Sequence, residues 1–509
     1  MILLQTLAAN IIQWSVLVLV FVIGVGILCV FVIYLIDVTQ TKQTIRRNYP
    51  VVGRFRYFFE HIGEFFRQYF FAMDREELPF NRAERSWAYR AAKKVDTTIA
   101  FGSSHPLSTP GDVIFLNCPF PTLDQDAEKP RPVTIGEGRA KQPYTTSSIV
   151  NISGMSYGAI SKPAVQSLSR GAKEAGIWMN TGEGGLSPYH LEGGCDIVYQ
   201  IGTAKYGVRT VDGALSDEKL KEVASHEQVK MFEVKMSQGA KPGKGGILPG
   251  EKVTEEISRI RGIEIGESSI SPNGHTDIDS VDSLLDMVNR IRTVTGKPVG
   301  FKMVVGRLEF FNDLCEAIHR RGLSSAPDFI TLDSADGGTG AAPQPLMDYV
   351  GMHIKESLPL VVDIIKSYGL RDQIKIISSG KLITPEKVAW ALSMGADFVT
   401  SARGFMFALG CIQALQCNKN TCPTGITTHK KALQRGLVPE EKFRRVESYA
   451  KKIVYGVGLI AHSCGVKQPR ALDRHHVRLI ENEGRTILMS DVYPEPEVKS
   501  EYISTNDPS

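Results

Sequence analysis

The sequence predicts an α/β protein with a (β/α)8 barrel, preceded by one transmembrane helix. From residue 148 onward, short apolar runs alternate with helical segments, and unusual glycine-rich motifs follow directly on the runs. The carboxyl ends of the strands form the active face of such a barrel. A doubly wound sheet would also alternate strands and helices, but no GxGxxG joins a first strand to a helix here. The barrel is therefore favoured.

Strands and helices alternate along this region, as expected of repeated βα units. Strands are predicted at residues 149–153, 230–235, 299–305, 329–333, 374–378 and 398–400. Helices are predicted at residues 82–94, 162–175, 280–295, 312–321, 385–394 and 439–457.

Residues 11–36 contain no charge, and a helix needs about 20 apolar residues to cross a bilayer. No Lys or Arg precedes this run and no small-residue cleavage site follows it, so we expect an uncleaved anchor rather than a signal peptide. Basic residues follow between Lys42 and Arg56. By the positive-inside rule we expect a single-pass protein of the cell inner membrane with a cytoplasmic catalytic domain.

The chain divides into four predicted parts. We expect the anchor at residues 1–40, a juxtamembrane and collar segment at 41–147, the barrel at 148–470 and a C-terminal tail at 471–509. Residues 55–71 mix aromatic and charged side chains. This segment either lies along the lipid headgroups, which makes the bilayer a partner, or packs on the soluble body.

The composition excludes a nucleic-acid partner. The 509 residues include 59 Lys and Arg against 55 Asp and Glu, a small and scattered excess that lacks the footprint of a DNA- or RNA-binding protein. The 47 glycines include several short runs, which indicate loops that approach a ligand closely.

Three of the eight cysteines form the pattern Cys411-x5-Cys417-x4-Cys422-Pro. Three thiolates without an obvious fourth suit a [3Fe-4S] cluster, or a zinc site completed by His429. Three buried structural cysteines are the alternative. The other cysteines stand isolated, and a cytoplasmic location argues against disulfides.

Lysines and a glutamine alternate with glycines after the predicted strand that ends at Lys235. Gln238, Lys241 and Lys244 follow within ten residues, in the run KMSQGAKPGKGG. Such a loop presents positive charge to an anion in the barrel mouth. The alternative is a mobile basic surface loop.

Glycine-rich turns at 336–340, 379–380 and 401–404 end the last predicted strands, where this architecture commonly holds phosphate. Together they predict a phosphorylated cofactor. Lys302 lies inside the run VGFKMVV. A buried lysine needs a negative partner, such as the N1–C2=O edge of a reduced flavin; otherwise it reaches solvent at the strand end.

Six motifs together resemble the FMN-binding synthase domain of glutamate synthases, and the resemblance covers about residues 85–470. They are SGMSYGAIS (153–161), NTGEGG (180–185), KMSQGAKPGKGGILPG (235–250), ISP followed by His-x-Asp (270–277), DGGTGA (336–341) and Cys-x5-Cys-x4-Cys-Pro. Their order and rough spacing match as well. The set is far more specific than any one motif.

The resemblance implies an FMN-linked barrel with a [3Fe-4S] cluster that relays electrons to the flavin. Reduced FMN would pass a hydride to 2-iminoglutarate, formed from 2-oxoglutarate and ammonia, to give L-glutamate. Lys241 and Arg261 would bind the 2-oxoglutarate carboxylates, and Gln238 would help orient them. Glu183 would handle protons, and Lys235 would face the isoalloxazine with Lys302.

The resemblance also implies which residues hold the cofactors. The cluster ligands would be Cys411, Cys417 and Cys422. The residues lining FMN would be Met155, Ser156, Gly337, Gly338, Ser379, Gly380, Ala402 and Arg403.

The motifs depart from the family at three places. Lys244 stands where glutamate is usual, residues 273–276 replace a Pro-Pro-His-His type run, and SGKL at 379–382 replaces a Gly-Gly-Leu-Arg turn. The first change shifts the local charge by two units, enough to alter which acid is preferred. An N-alkylated glutamate or another amino acid is thus an alternative substrate, and an electron-transfer module without turnover is a second alternative.

Complete glutamate synthases also carry an amidotransferase that begins with cysteine and a long C-terminal β-helix, and neither matches this sequence. We therefore expect free ammonia or an amine as the nitrogen source. Electrons would come from ferredoxin, a partner flavoprotein or a membrane donor.

FMN-dependent 2-hydroxy acid oxidases share a barrel but need a His and Arg pair at the substrate. The DGGTGA turn lacks this pair, so that family is set aside.

Overall fold

The computed structural model describes residues 2–502 and falls into two compact units, divided between Ala83 and Glu84. The first unit contains helices α1 (Ile2–Thr39), α2 (Thr44–Asn48) and α3 (Gly53–Phe66), and α3 continues as a π-helical turn at Arg67–Phe71. Between Gln5 and Thr39, α1 is long and apolar enough to cross a membrane. One such helix near an N-terminus is compatible with a membrane span and with a signal sequence.

The second unit is built on a closed barrel of eight parallel strands in sequential order, which confirms the predicted fold class. The strands are β1 (Val150–Ile152), β2 (Met179–Asn180), β3 (Ile197–Ile201), β4 (Val229–Lys235), β5 (Val299–Val304), β6 (Phe329–Asp333), β7 (Lys375–Ser379) and β8 (Phe398–Ser401). All but β2 and β3 were predicted, within one residue at each end. β2 has only two residues, and β3 is buried throughout and lacks alternation, so neither gives a periodic signal.

Helices surround the barrel and extend to the C-terminal region. They are α4 (Arg82–Ala92), α5 (Lys162–Ala175), α6 (Pro188–Glu192), α7 (Asp217–Ser225), α8 (Glu255–Arg261), α9 (Val281–Thr295), α10 (Glu309–Arg321), α11 (Gln344–Tyr349), α12 (Ile354–Ser367), α13 (Pro385–Ser393), α14 (Arg403–Leu409), α15 (Lys431–Gln434), α16 (Pro439–Ser463) and α17 (Met489–Val492). The predicted helices are all present, and the last is longer than predicted.

Short antiparallel strands complete the unit. They pair Val113–Phe115 with Val477–Asn482, Val477–Asn482 with Arg485–Leu488, Val133–Ile135 with Tyr144–Thr146, and Ile247–Leu248 with Ser269–Ile270. The third pair adds Ile135 and Tyr144 to a buried cluster that includes Trp178 and Phe398. Because Trp178 precedes β2 and Phe398 begins β8, this cluster fills the amino-terminal end of the barrel. Functional side chains are left to the carboxyl-terminal end.

Candidate active site

Glu183 and Lys235 form an ion pair at the carboxyl-terminal end of the barrel. Lys235 ends β4, Glu183 lies in the loop after β2, and Lys235 Nζ lies 2.9 Å from Glu183 Oε1. Burial alone would raise the pKa of Glu183, but the charges of Lys235, Lys241 and Arg261 outweigh it and hold this pKa below its ordinary value. Glu183 is therefore ionised at neutral pH.

Lys241 is buried without an ion-pair partner among the described residues. Lys241 is 4% exposed, and no carboxylate of the described chain lies within ion-pair distance of its Nζ. Burial, reinforced by Lys235, lowers the pKa of Lys241 to about 8. The preceding Ala240 has a positive φ of 66° and donates its N–H to Ala335 O at 2.8 Å, so the loop has a fixed shape. The alternative of a mobile surface loop is wrong for Lys241.

Arg261 closes the site from the end of α8. Its Nη2 lies 3.3 Å from Ser156 Oγ and 3.3 Å from Tyr157 O, and its Nε has no partner among residues 2–502. A Cβ at Gly184 would lie 2.7 Å from Ser156 Cβ and 2.9 Å from Arg261 Nη2, so this position in the NTGEGG loop needs glycine. No described carboxylate pairs with the guanidinium. Three cations, Lys235, Lys241 and Arg261, thus surround the single carboxylate of Glu183, and the two that it does not pair with suit an anionic ligand.

Lys302 has a protein carboxylate as its negative partner. Its Nζ lies 3.1 Å from Asp333 Oδ2, and both side chains are buried, so the alternative of a solvent-reaching lysine is wrong. Burial alone would lower the pKa of Lys302, but Asp333 and Glu233 outweigh it and raise this pKa. Lys302 also lies opposite Lys235 in the β4–β5 register. Its charge is neutralised within the barrel, unlike that of Lys241.

The barrel interior below this pair is a closed polar network. Glu233 accepts hydrogen bonds from Asn180 Nδ2 at 2.8 Å, Gln200 Nε2 at 2.7 Å and Thr331 Oγ1 at 2.6 Å. A buried carboxylate with three donors is stable without a ligand. The cation excess is therefore confined to the mouth.

The late turns pack against the lysine loop. Gly239 N donates to Asp333 Oδ2 at 3.0 Å, and a Cβ at Gly239 would collide with Gly337. Beside them, Gly338 lies against Arg403, whose Nη2 donates to Asp336 O at 3.1 Å. The structure thus brings the turns after β6 and β8 to the loop after β4.

The remaining predicted flavin residues lie around the same mouth. Met155 and Ser156 are buried in the loop after β1, Ser379 ends β7, and Gly380 adopts a φ of 120° next to it. The last of the set, Ala402, directly precedes α14. Gln238 lies half-exposed in the loop after β4.

Two of the three predicted metal ligands, Cys411 and Cys417, are half-buried, and Cys422 is buried. All three lie in one loop after α14, and burial raises the pKa of Cys411 to about 12. Among residues 2–502, no group of three or more His, Cys, Asp or Glu side chains is arranged so that it could hold a metal ion. His429, considered above for zinc, instead directs Nε2 at Gly158 O, 2.8 Å away.

Sequence reasoning assigned no role to several further polar groups near these loops, although His275 and Asp277 belong to the ISP and His-x-Asp motif. Asp333 pairs with Lys302, buried Lys205 Nζ lies 3.0 Å from Asp277 Oδ1, and His275 Nε2 lies 3.0 Å from Lys235 O. Another, Lys252, is buried and donates to Cys417 O at 2.7 Å. Asp333 ends a predicted strand, and Lys252 lies just after the KMSQGAKPGKGGILPG motif. Their partners are distant in sequence, so no local pattern joins them.

Fold and site together define a (β/α)8-barrel protein with a cationic mouth. Residues 121–467 match the family model described as the conserved region in glutamate synthase. The chain is also 39% identical to the glutamate synthase large subunit-like protein YerD of Bacillus subtilis (strain 168), over 92% of this chain and 96% of that protein. It therefore belongs to the glutamate synthase family.

Other relatives match over a smaller part of their length. The archaeal glutamate synthase [NADPH] of Methanocaldococcus jannaschii is 35% identical over 65% of this chain, which spans about three fifths (61%) of that protein. Solved structures with a similar fold include the flavin-binding domain of baker's yeast flavocytochrome b2. The two structures superpose with a TM-score of 0.44 and 13% sequence identity. The superposition covers 82% of this chain and 85% of the flavocytochrome chain.

Proposed function

We propose that this chain is an oxidoreductase that makes L-glutamate by reductive amination of 2-oxoglutarate. The carrying observation is that Lys241 and Arg261, two cations buried in the mouth, have no carboxylate within ion-pair distance among the described residues. A dianionic keto acid supplies the missing counter-charge. Desolvated cations bind carboxylates strongly because little water competes with them.

Each residue of the mouth then has a distinct task. Lys241 and Arg261 bind the two carboxylates, and Gln238 helps orient them from the rim. Glu183 handles protons: as a carboxylate whose Oε1 lies 2.9 Å from Lys235 Nζ, it takes the proton released by the attacking ammonia and returns it to the imine nitrogen. Lys235 keeps Glu183 in place and faces the flavin together with Lys302. The buried walls exclude water from the imine.

The residues at the mouth fit FMN, which supplies a hydride when bound and reduced. Thr400 Oγ1 is buried near the end of β8 with no hydrogen-bond partner among the described residues, and its residue lines the barrel interior together with Lys302, so it is available to a cofactor. Lys381 Nζ lies 3.0 Å from Asp336 Oδ2, and Arg403 Nη2 donates to Asp336 O. Two cations thus flank one carboxylate beside the late turns, which suits a phosphate. The proposed lining comprises Met155, Ser156, Lys302, Gly337, Gly338, Ser379, Gly380, Ala402 and Arg403.

Cys411, Cys417 and Cys422 are the proposed ligands of a [3Fe-4S] cluster. Their support is the shared loop, their burial and the cation Lys252 beside Cys417. Binding a cluster requires this loop to draw the three sulfur atoms together. Iron and sulfide analysis and low-temperature EPR of anaerobically purified protein test the assignment; protein with full flavin and no iron would exclude it.

We further propose that free ammonia supplies the nitrogen. An external donor such as ferredoxin, a flavoprotein or a membrane carrier supplies the electrons.

We also propose that α1 anchors the chain in the inner membrane with the barrel in the cytoplasm. The support for the anchor is the apolar length of α1 and the basic residues that follow it.

The decisive experiment is anaerobic. The full chain is purified in detergent, its flavin is reduced chemically, and 2-oxoglutarate and ammonium are added while flavin absorbance and glutamate are followed. Rapid reoxidation with one glutamate per flavin supports the proposal. A reduced flavin that ignores both substrates contradicts glutamate synthesis.

A second candidate keeps the cofactors and changes the substrate to an N-alkylated glutamate or another amino acid. It is favoured by Lys244, which is exposed at the rim and replaces the glutamate usual in the family. Supplying primary amines instead of ammonium in the same assay tests it. A reduced flavin that stays inert with every acid and amine would leave the electron-transfer module.

A further inference from the structure

The N-terminal unit contains a helical segment with one aromatic face. Along α3 and the π-helical turn after it, large apolar residues recur every three or four positions, which places them on one side. We define this aromatic face by Phe55, Phe58, Phe59, Phe65, Phe66 and Phe70. The same spacing places Arg56, Glu60, Glu64 and Arg67 on the opposite side.

The aromatic face is exposed. Phe59 is 61% exposed and Phe70 is 74% exposed. Neighbouring rings contact one another, with centroids 5.5 Å apart for Phe58 and Phe59 and 5.4 Å apart for Phe66 and Phe70. A continuous row of exposed phenylalanines is a surface that normally meets an apolar partner.

The start of α3 is fixed to the end of α1. Asp37 is fully buried and accepts hydrogen bonds from Arg46 Nη2 at 2.7 Å, Arg54 Nη2 at 2.8 Å and the Val51 N–H at 3.0 Å. A Cβ at Gly53 would lie 2.8 Å from Ile45 O, so glycine permits this close approach. The aromatic face therefore begins next to the end of a helix of membrane-spanning length.

We propose that α3 and the following turn lie in the plane of the membrane surface, with the aromatic face at the boundary between headgroups and acyl chains. Lipid is the occupant because the face begins beside the exposed apolar surface of α1, and aromatic side chains concentrate at this depth. Arg56 is exposed at the start of α3, where it meets anionic headgroups. The inference rests on the proposed membrane anchor.

The test uses the full chain in lipid nanodiscs whose acyl chains carry bromine, which quenches nearby tryptophan. Phe59→Trp puts a probe on the aromatic face, and Glu60→Trp is the matched control on the opposite side. The emission of the unaltered chain is subtracted from each. We expect the probe of Phe59→Trp to be quenched about twofold more than that of Glu60→Trp and to emit at shorter wavelength.

Equal quenching of the two variants in chains that are inserted in the disc would overturn the inference and leave the anchor intact. A probe at 59 with blue-shifted but unquenched emission would also overturn it, since protein rather than lipid would then cover the face. A chain that does not enter the discs at all would remove the anchor as well. The three outcomes are distinguishable because insertion is measured separately by flotation.

Discussion

At the amino-terminal end of the barrel, buried Asp328 accepts hydrogen bonds from Arg139 Nε at 2.9 Å, Arg292 Nε at 2.9 Å and the Val299 N–H at 2.8 Å. At the carboxyl-terminal end, Lys241 and Arg261 are also buried, yet no described carboxylate pairs with them. One end uses buried charge to hold strands and loops together. The other keeps charge unpaired, at a cost in stability that the proposed anionic substrate would offset.

The largest effect that would test this contrast is on stability. Asp328→Ala leaves two buried arginines without a counter-charge, and we expect the free energy of unfolding to fall by about 3–5 kcal/mol. Urea unfolding followed by circular dichroism measures it. Asp282→Ala is the matched control, since Asp282 also pairs with two arginines but is exposed, and its removal should leave the midpoint almost unchanged. Similar losses of stability in both variants would mean that the buried ion pairs of Asp328 stabilise the fold no more than the exposed ion pairs of Asp282.

The next effect concerns the ligand. Lys241→Met removes an unpaired cation, so we expect stability to be kept while the affinity for 2-oxoglutarate falls about 10- to 100-fold. Titration of the flavin spectrum with the keto acid measures this affinity. Lys244→Met, three residues away on the exposed rim, is the control and should change it little. A destabilised Lys241→Met protein with unchanged affinity would make Lys241 a structural residue like Asp328.

The contrast between the two ends also shows what the sequence could predict. The motif after β4 predicted that Lys235 and Lys241 face the barrel mouth, because parallel strands deliver their carboxyl ends to the same edge. Glu183 and Arg261 were assigned to the same site only through the resemblance to glutamate synthases. The ion-pair partners of the charged residues could not be predicted from the sequence. Asp333 meets Lys302 from 31 positions further along the chain, and only the barrel register joins two such segments.

The same limit applies to Asp328. Arg139 comes from the turn of a hairpin and Arg292 from α9, so no local pattern reveals the pairing. The cysteine spacing predicted one shared loop, which the structure contains, but spacing alone cannot fix how the three sulfur atoms are arranged. Residue type and order predict which groups are available; packing decides which of them are neutralised.

A smaller effect follows from pH. Because the folded pKa of Lys241 is about 8, its charge is present below that pH and is lost above it, and we expect 2-oxoglutarate affinity to fall by up to about tenfold per pH unit above 8. Stability changes in the opposite direction. Between the folded pKa and the higher ordinary value, the unfolded chain binds more protons, so this residue's contribution to the free energy of unfolding rises with pH.

The pH dependence of binding and of stability is measured in parallel on the unaltered protein and on Lys241→Met. The variant should lose the component of both curves that lies above pH 8. If the variant keeps the fall in affinity, another group of the mouth titrates there, and the unpaired charge of Lys241 is not what attracts the keto acid.

The smallest effect distinguishes buried from exposed charge within the mouth itself. Lys244→Glu restores the charge that is usual in the family at an exposed position, and we expect KM for the keto acid to rise only about two- to threefold. The change should disappear at about 1 M salt, where screening acts over about 3 Å, whereas the loss in Lys241→Met should persist. A rise in KM that survives high salt would place Lys244 in contact with the substrate and strengthen the alternative that this residue selects a different acid.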